Sequence, residues 1–284
     1  MISWVGGKSI HTKWIIPQLP EKETYDVYVE PFTGAGWIYF KGLGISLNNH
    51  TIIFNDADTL LANDWFCCVN RREELLEECF KLPPHNREVY MKIKEEILEI
   101  DSNTIDLGDL DIAVKHLYLI SQRFVSASYN LPKPSSGKWE RFLLDLDRKA
   151  DIFDNINEVH NMDFQEVIEK YDSPRTLFYV DPPYYATESY YMHEFLKEDH
   201  LRLADCLRNI EGRFALSYYD FPELSEWFPE EKYPWYRHAA KNVMGTRKGK
   251  KIDTSRGGKD IEILVKNYSA NDALSDAKKE LIEF

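Results

Sequence analysis

Thr176-Leu177-Phe178-Tyr179-Val180-Asp181-Pro182-Pro183-Tyr184 is the stretch on which the fold turns. The first five residues read as a buried strand, the clearest in the chain. They deliver Asp181 to the carboxyl end of that strand, where open α/β sheets bind ligands. Pro182 and Pro183 then remove backbone donors and stiffen the turn, and the aromatic Tyr184 follows at once. This order suits one chemical problem. An exocyclic ring amine is a poor nucleophile, because its lone pair is delocalised into the ring. A carboxylate and a rigid backbone carbonyl can accept its two N–H hydrogens and draw the nitrogen toward tetrahedral geometry. Asp181, the Pro182 carbonyl held by the Pro182-Pro183 pair, and a stacking Tyr184 are the candidate catalytic residues.

Upstream, Val27-Tyr28-Val29-Glu30 reads as a second short strand, followed by Pro31-Phe32-Thr33-Gly34-Ala35-Gly36 and a helix over residues 36–43. Glycines in such a turn let the backbone approach a ligand at a helix N-terminus. Thr51-Ile52-Ile53-Phe54 is the next strand and ends at Asn55-Asp56. Asp56 stands twenty residues beyond Gly36, the spacing of an acid that holds a ribose diol. The βαβ start favours a parallel sheet. From about 58 to 128 the apolar spacing is helical, interrupted at Pro83-Pro84, and Asn130 to Lys138 is a loop or hairpin tip. Residues 197–210 read as a helix, and Arg213–Tyr218 and Ile261–Val265 as strands. The fold class is therefore α/β: a doubly wound sheet with a mostly helical insertion. The catalytic domain is expected over 1–57 and 156–270, the insertion over 58–155, and a tail over 271–284.

Composition bounds the rest. The 284 residues are 43% hydrophobic and 29% charged, enough for an ordinary packed core. No basic start with a long apolar stretch is present, and no apolar run approaches the ~20 residues of a membrane span, so a cytoplasmic protein is expected. Cys67, Cys68, Cys79 and Cys206 form no CxxC pair and read as reduced structural thiols, with no metal site. The net charge of −13 argues against a generic nucleic-acid binder. Its distribution argues the other way. Between Lys241 and Lys259 stand seven basic residues and one acid, Asp253. Trp4-Val5-Gly6-Gly7-Lys8-Ser9 looks like the end of a phosphate-binding loop but has Ile2 where the first glycine belongs, so it reads as a cap contributing Trp4 and Lys8 to a pocket.

In that order, the motifs resemble the Dam-like family of DNA adenine-N6 methyltransferases. The resemblance rests on Trp4-Val5-Gly6-Gly7-Lys8, Glu30-Pro31-Phe32-Thr33-Gly34-Ala35-Gly36, Phe54-Asn55-Asp56, Asp163-Phe164, Asp181-Pro182-Pro183-Tyr184 and the strand Glu262–Tyr268, spread over residues 4 to 268. It implies a Rossmann-like S-adenosylmethionine-dependent methyltransferase fold with an inserted target-recognition region. It implies that Trp4, Lys8, Glu30, Phe32, Gly34, Gly36, Asp56, Asp163, Phe164 and Asp181 line an S-adenosylmethionine site. It implies that the basic stretch with Arg247, Lys248, Lys250 and Lys251 touches double-stranded DNA. Arg123, Tyr129, Asn130, Lys133 and Lys138 are the candidates for groove contact. The target adenine must leave the duplex to reach the site, because N6 is paired and stacked. The recognition region departs from the longer Arg/Asn/Tyr-rich hairpin of the family's GATC readers, which leaves the target sequence open. Tyr185, Tyr190, Tyr191 and His193 are expected to close over the site or to pack. Competing readings are an RNA or protein-amide methyltransferase, which commonly carries Asn-Pro-Pro-Tyr, a silent DNA-binding module, and a dinucleotide oxidoreductase, whose third glycine is replaced at Ile38-Tyr39.

Overall fold

The computed structural model describes residues 7–44, 46–122, 137–185, 195–239 and 261–269. A short helix α1 (Thr12–Ile15) precedes β1 (Val27–Glu30), one π-helical stretch (Tyr39–Leu43) and β2 (Thr51–Asn55). Helices α2 (Thr59–Asn70), α3 (Arg72–Cys79), α4 (Arg87–Glu99), α5 (Leu110–Gln122), α6 (Lys138–Arg148) and α7 (Ala150–Asp154) follow. The chain then returns as β3 (Glu158–His160), α8 (Phe164–Tyr171), β4 (Thr176–Val180), α9 (Lys197–Asn209), β5 (Arg213–Tyr219), α10 (Leu224–Trp227), β6 (Trp235–Ala239) and β7 (Ile261–Lys266).

The seven strands form one sheet in the order β3-β2-β1-β4-β5-β7-β6. β1, β2, β3, β4 and β5 pair in parallel, and β7 runs antiparallel between β5 and β6. This is a Rossmann-like α/β sheet, mostly parallel with one reversed strand, as the resemblance leads one to expect. Strand order reverses between β1 and β4, so the crevice of the sheet opens at their carboxyl ends. The register aligns those ends: Val29 lies opposite Phe178 and Glu30 opposite Phe54. Asp181 thus emerges beside the loop that follows Glu30.

Both faces of the sheet are covered, which is why its strands read as nearly continuous apolar runs. Tyr28, Ile52, Phe54, Leu177, Tyr179 and Leu264 pack into one core with Trp65, Leu117, Trp139 and Phe153 of the helices between β2 and β3. Val29, Ile53, Phe178, Val180, Phe214 and Ile263 pack on the other face against α8, α9 and α10 through Val167, Leu203, Leu207 and Trp227. The helices between β2 and β3 share their core with the sheet.

Where the local reading and the chain differ, the reasons are physical. The helical pattern from 58 onward divides into four helices before residue 123: Arg71 leaves helical geometry at φ −133°, and a second break falls around Pro83-Pro84. Lys138, read as a hairpin tip, is the first residue of α6, entered through Gly137 at φ +47°. β3, at three residues, and β6 were not visible as strands. Among the described residues no helix is long and apolar enough to cross a membrane.

Candidate active site

The loop after β1 is built to hold still. Gly34 and Gly36 take φ values of +51° and +61°, a region L side chains rarely adopt. A Cβ on Gly36 would also lie 3.1 Å from the Phe40 ring. Trp65 of α2 donates its indole N–H to the Gly34 carbonyl at 3.0 Å, and Thr33 Oγ1 accepts the Asn55 N–H at 3.0 Å. Asn55 ties three strand ends together, donating to the carbonyls of Pro31 and Met162 and accepting the Met162 N–H at 3.0 Å. Asp56 accepts the Gly34 N–H at 2.8 Å on one oxygen and the Asp58 N–H at 3.0 Å on the other. Burial, with Asp58 nearby, pushes the Asp56 carboxyl up to about 7.

Glu30 lies beneath this loop, 2% exposed, and accepts the Tyr28 hydroxyl at 2.7 Å. Burial pushes it up to about 8 against the opposing pull of that hydrogen bond. Phe32 stacks on Phe164 at 5.5 Å and meets Phe195 edge-on at 5.6 Å. Asp163 caps α8 through the Gln165 N–H and takes a bidentate pair from Arg202 at 2.8 Å on both oxygens. The Arg202 guanidinium also lies 4.4 Å from the Phe164 ring centroid.

After β4 the chain turns at Asp181. Its side chain keeps 19% exposure, and its Oδ1 lies 2.8 Å from the buried Lys8 ammonium. Burial raises the Asp181 carboxyl to about 6, with Lys8 restraining the rise and Glu262 adding to it. Pro182 is buried. Tyr184 points its hydroxyl inward, donating to Glu262 of β7, beside Ser217 Oγ of β5 at 3.2 Å. Lys8 Nζ lies 4.4 Å over the Tyr184 ring, and Tyr219 meets that ring edge-on at 5.1 Å. Tyr185 stacks on Phe221 at 5.0 Å and so packs.

The fold thus gathers Lys8, Asp181 and Tyr184 at one point and sets the Gly34 loop, Asp56, Asp163 and Phe164 on adjacent strand ends. It adds Glu262, Ser217, Asn55, Trp65 and Arg202, to none of which the sequence reading gave a role, although Asn55 and Glu262 stand within its motifs. One signal was present for Glu262: an acid inside the apolar strand Ile-Glu-Ile-Leu-Val must be paired if it is buried. Trp4, Arg123, Tyr129, Asn130, Lys133, Tyr190, Tyr191, His193, Arg247, Lys248, Lys250 and Lys251 lie outside the described residues. Lys138 is half-buried at the start of α6. The cysteine thiols of Cys67, Cys68, Cys79 and Cys206 are all unbridged, with burial pushing each upward. Among the described residues no His/Cys/Asp/Glu cluster could hold a metal ion.

A carboxylate at the carboxyl end of β4, followed by a Pro-Pro-Tyr turn beside the glycine loop at the switch point, is the arrangement that the resemblance to amine methyltransferases implies. A family model of the D12 class N6 adenine-specific DNA methyltransferases matches residues 4–244. The chain belongs to that family. It is also 26% identical, over 93% of its length and 94% of the relative's, to the type II methyltransferase M1.LlaDCHI of Lactococcus lactis subsp. cremoris. The activity is site-specific methylation of adenine N6 in DNA, and the competing readings give way to it.

Proposed function

We propose that this D12-class enzyme transfers the methyl group of S-adenosylmethionine to the N6 amine of an adenine flipped out of double-stranded DNA, with Asp181 and the Pro182 carbonyl as the amine's acceptors. The geometry of Asp181 carries this reading: a partly reachable carboxylate at a strand end, neighbour to the glycine loop, with a counter-cation 2.8 Å away. Bound S-adenosylmethionine supplies an electrophilic methyl group on a cationic sulfur. Asp56, with one backbone donor on each oxygen, keeps lone pairs for a ribose diol. Gly34 and Gly36 let the backbone approach the methionine part. Phe32, Phe164 and Asp163 bound the space for the cofactor's adenine. Among the described residues, two acids, Asp181 and Glu262, stand against Lys8, a local anionic excess that suits a sulfonium.

Asp181 and the Pro182 carbonyl orient the amine so that its lone pair faces the methyl carbon. With S-adenosylmethionine bound, attack of that lone pair on the methyl carbon would release the sulfur as a neutral thioether and leave the nitrogen with one proton to shed. Asp181, ionised at neutral pH with its pKa at about 6, accepts that proton far more readily than the methylated amine retains it. Tyr184 serves as the wall beside the base. The helices between β2 and β3, with the segment carrying Arg123, Tyr129, Asn130, Lys133 and Lys138, form the target-recognition region. The basic stretch Arg247, Lys248, Lys250 and Lys251 binds phosphates, which anchors the acidic body on the duplex.

The test is radiolabelled methyl transfer to adenine-unmethylated genomic DNA followed by nucleoside analysis. Label in N6-methyladenine, lost by about 1000-fold or more in Asp181→Ala while S-adenosylmethionine still binds, supports the assignment. Undiminished transfer by Asp181→Ala refutes it.

A further inference from the structure

Glu262 is the one acid in β7, 7% exposed, in a strand whose following residues are all buried apolar groups and Lys266. A carboxylate is costly there unless it is paired and hydrogen-bonded. Its partners arrive from three parts of the chain and meet on one oxygen. Ser217 of β5 donates at 2.6 Å, and the Tyr184 hydroxyl donates from the loop after β4. Lys8 of the N-terminal segment brings its ammonium to 3.5 Å. That same ammonium lies 2.8 Å from Asp181. Two acids therefore share one buried cation, unequally. Among the described residues, the other ionisable groups around them are Glu30 of β1, which feels the Asp181 charge, Tyr179 of β4, which faces both acids, His11 of the N-terminal segment, and His238 of β6, the register partner of Glu262. The His11 and His238 rings stand 5.9 Å apart.

A lysine committed wholly to Asp181 would compete with the incoming amine for the same lone pairs, because charge-assisted hydrogen bonds are the strong ones. We propose that Glu262 is a positioning residue for methyl transfer: by sharing Lys8 and fixing the Tyr184 hydroxyl, it leaves Asp181 able to accept the amine. This rests on the reading of Asp181 given above. It adds a residue that touches neither substrate nor cofactor and acts through its neighbours.

Glu262→Gln keeps the shape and an acceptor for Ser217 and Tyr184 but removes the charge. Lys8 then loses its second carboxylate and keeps Asp181. The expected result is a kcat lowered by about tenfold, and an acid limb of kcat/KM displaced to lower pH by about one unit, since a like charge that raised Asp181 is gone. Glu262→Asp, which restores the charge, returns the limb toward the wild-type position. Ser217→Ala loosens the same anchorage with both charges in place and leaves the limb where it was. All variants are compared at matched fold, judged by near-ultraviolet circular dichroism and unfolding midpoint, on the full chain with adenine-unmethylated genomic DNA. A Glu262→Gln limb superimposed on the wild type overturns the proposal, even if kcat or stability falls. So does a limb shift in Ser217→Ala equal to that of Glu262→Gln. Wild-type protein that forms no N6-methyladenine overturns the Asp181 reading and this proposal together, whereas an active wild type with an unmoved limb overturns this proposal alone.

Discussion

Replacing Glu30 by glutamine should change the way stability depends on pH. Glu30 is buried under the glycine loop with the Tyr28 hydroxyl on one oxygen at 2.7 Å. Its carboxyl stands at about 8 in the folded chain, against 4.5 for an ordinary glutamate, because burial penalises the charged form. The folded state therefore binds a proton that the unfolded state has released over that interval. A raised folded pKa means a contribution that is full below about pH 4.5 and is lost as pH rises toward about 8. Each pH unit within the window removes about 1.4 kcal/mol, so at about pH 7 the loss amounts to about 3 kcal/mol. Glutamine has nothing to titrate and its carbonyl still accepts from Tyr28. Any misfit of its amide is a constant offset. The measurement is urea unfolding of both proteins between about pH 5 and pH 8 at a common m value. Stability of the variant relative to the wild type is expected to climb by about 3–4 kcal/mol across that range. Asp56 titrates in both proteins and cancels in the difference; the charge of Asp181 is one of the causes that lift Glu30. A difference that stays constant with pH would show that Glu30 is not held protonated by its burial, and the reasoning would fail.

Three further outcomes are expected. Asp56→Asn turns one carboxylate oxygen into an N–H₂ that faces a backbone donor, Gly34 or Asp58; KM for S-adenosylmethionine should rise about tenfold, equal to about 1.4 kcal/mol, with a smaller effect on kcat, and steady-state kinetics with an unchanged KM would count against the diol role. Trp65→Phe keeps the ring in the core but orphans the Gly34 carbonyl; a loss of about 1–2 kcal/mol in unfolding free energy is expected, and a variant as stable as wild type would mean the 3.0 Å bond contributes nothing. Replacing Arg247, Lys248, Lys250 and Lys251 together by alanine should reduce the slope of log affinity against log salt by about 3, read by fluorescence anisotropy on a duplex; an unchanged slope would remove that stretch from the phosphate contacts.

Much of this molecule is legible one segment at a time. Thr176–Val180 and Thr51–Phe54 announce themselves as strands because both faces of the sheet are buried and, Thr51 apart, every side chain along them is covered. β3 does not, since three residues carry no period, and β6 does not, since Trp-Tyr-Arg-His-Ala at a sheet margin mixes apolar and charged groups. Helix α6 hides behind the glycine and serines that precede it. The site divides in the same way. Motifs are local, so Asp181 and the glycine loop could be read directly. Their supports are not local: Asn55 bonds to Met162, Trp65 to Gly34, and Glu262 to Tyr184 and Ser217, each pair brought together only by the sheet. A lone acid in an apolar strand hints that a partner exists without naming it.

The reversed strand has a consequence for how the enzyme comes into being. β7 slots between β5 and β6, and with it comes the second acid on Lys8. A ribosome releases β1, β2, β4 and β5 long before it releases β7. Until then the nascent sheet carries an open seam beside β5, and Lys8 meets Asp181 without its counterweight. Insertion of the last strand closes the seam and completes the charge arrangement in one event.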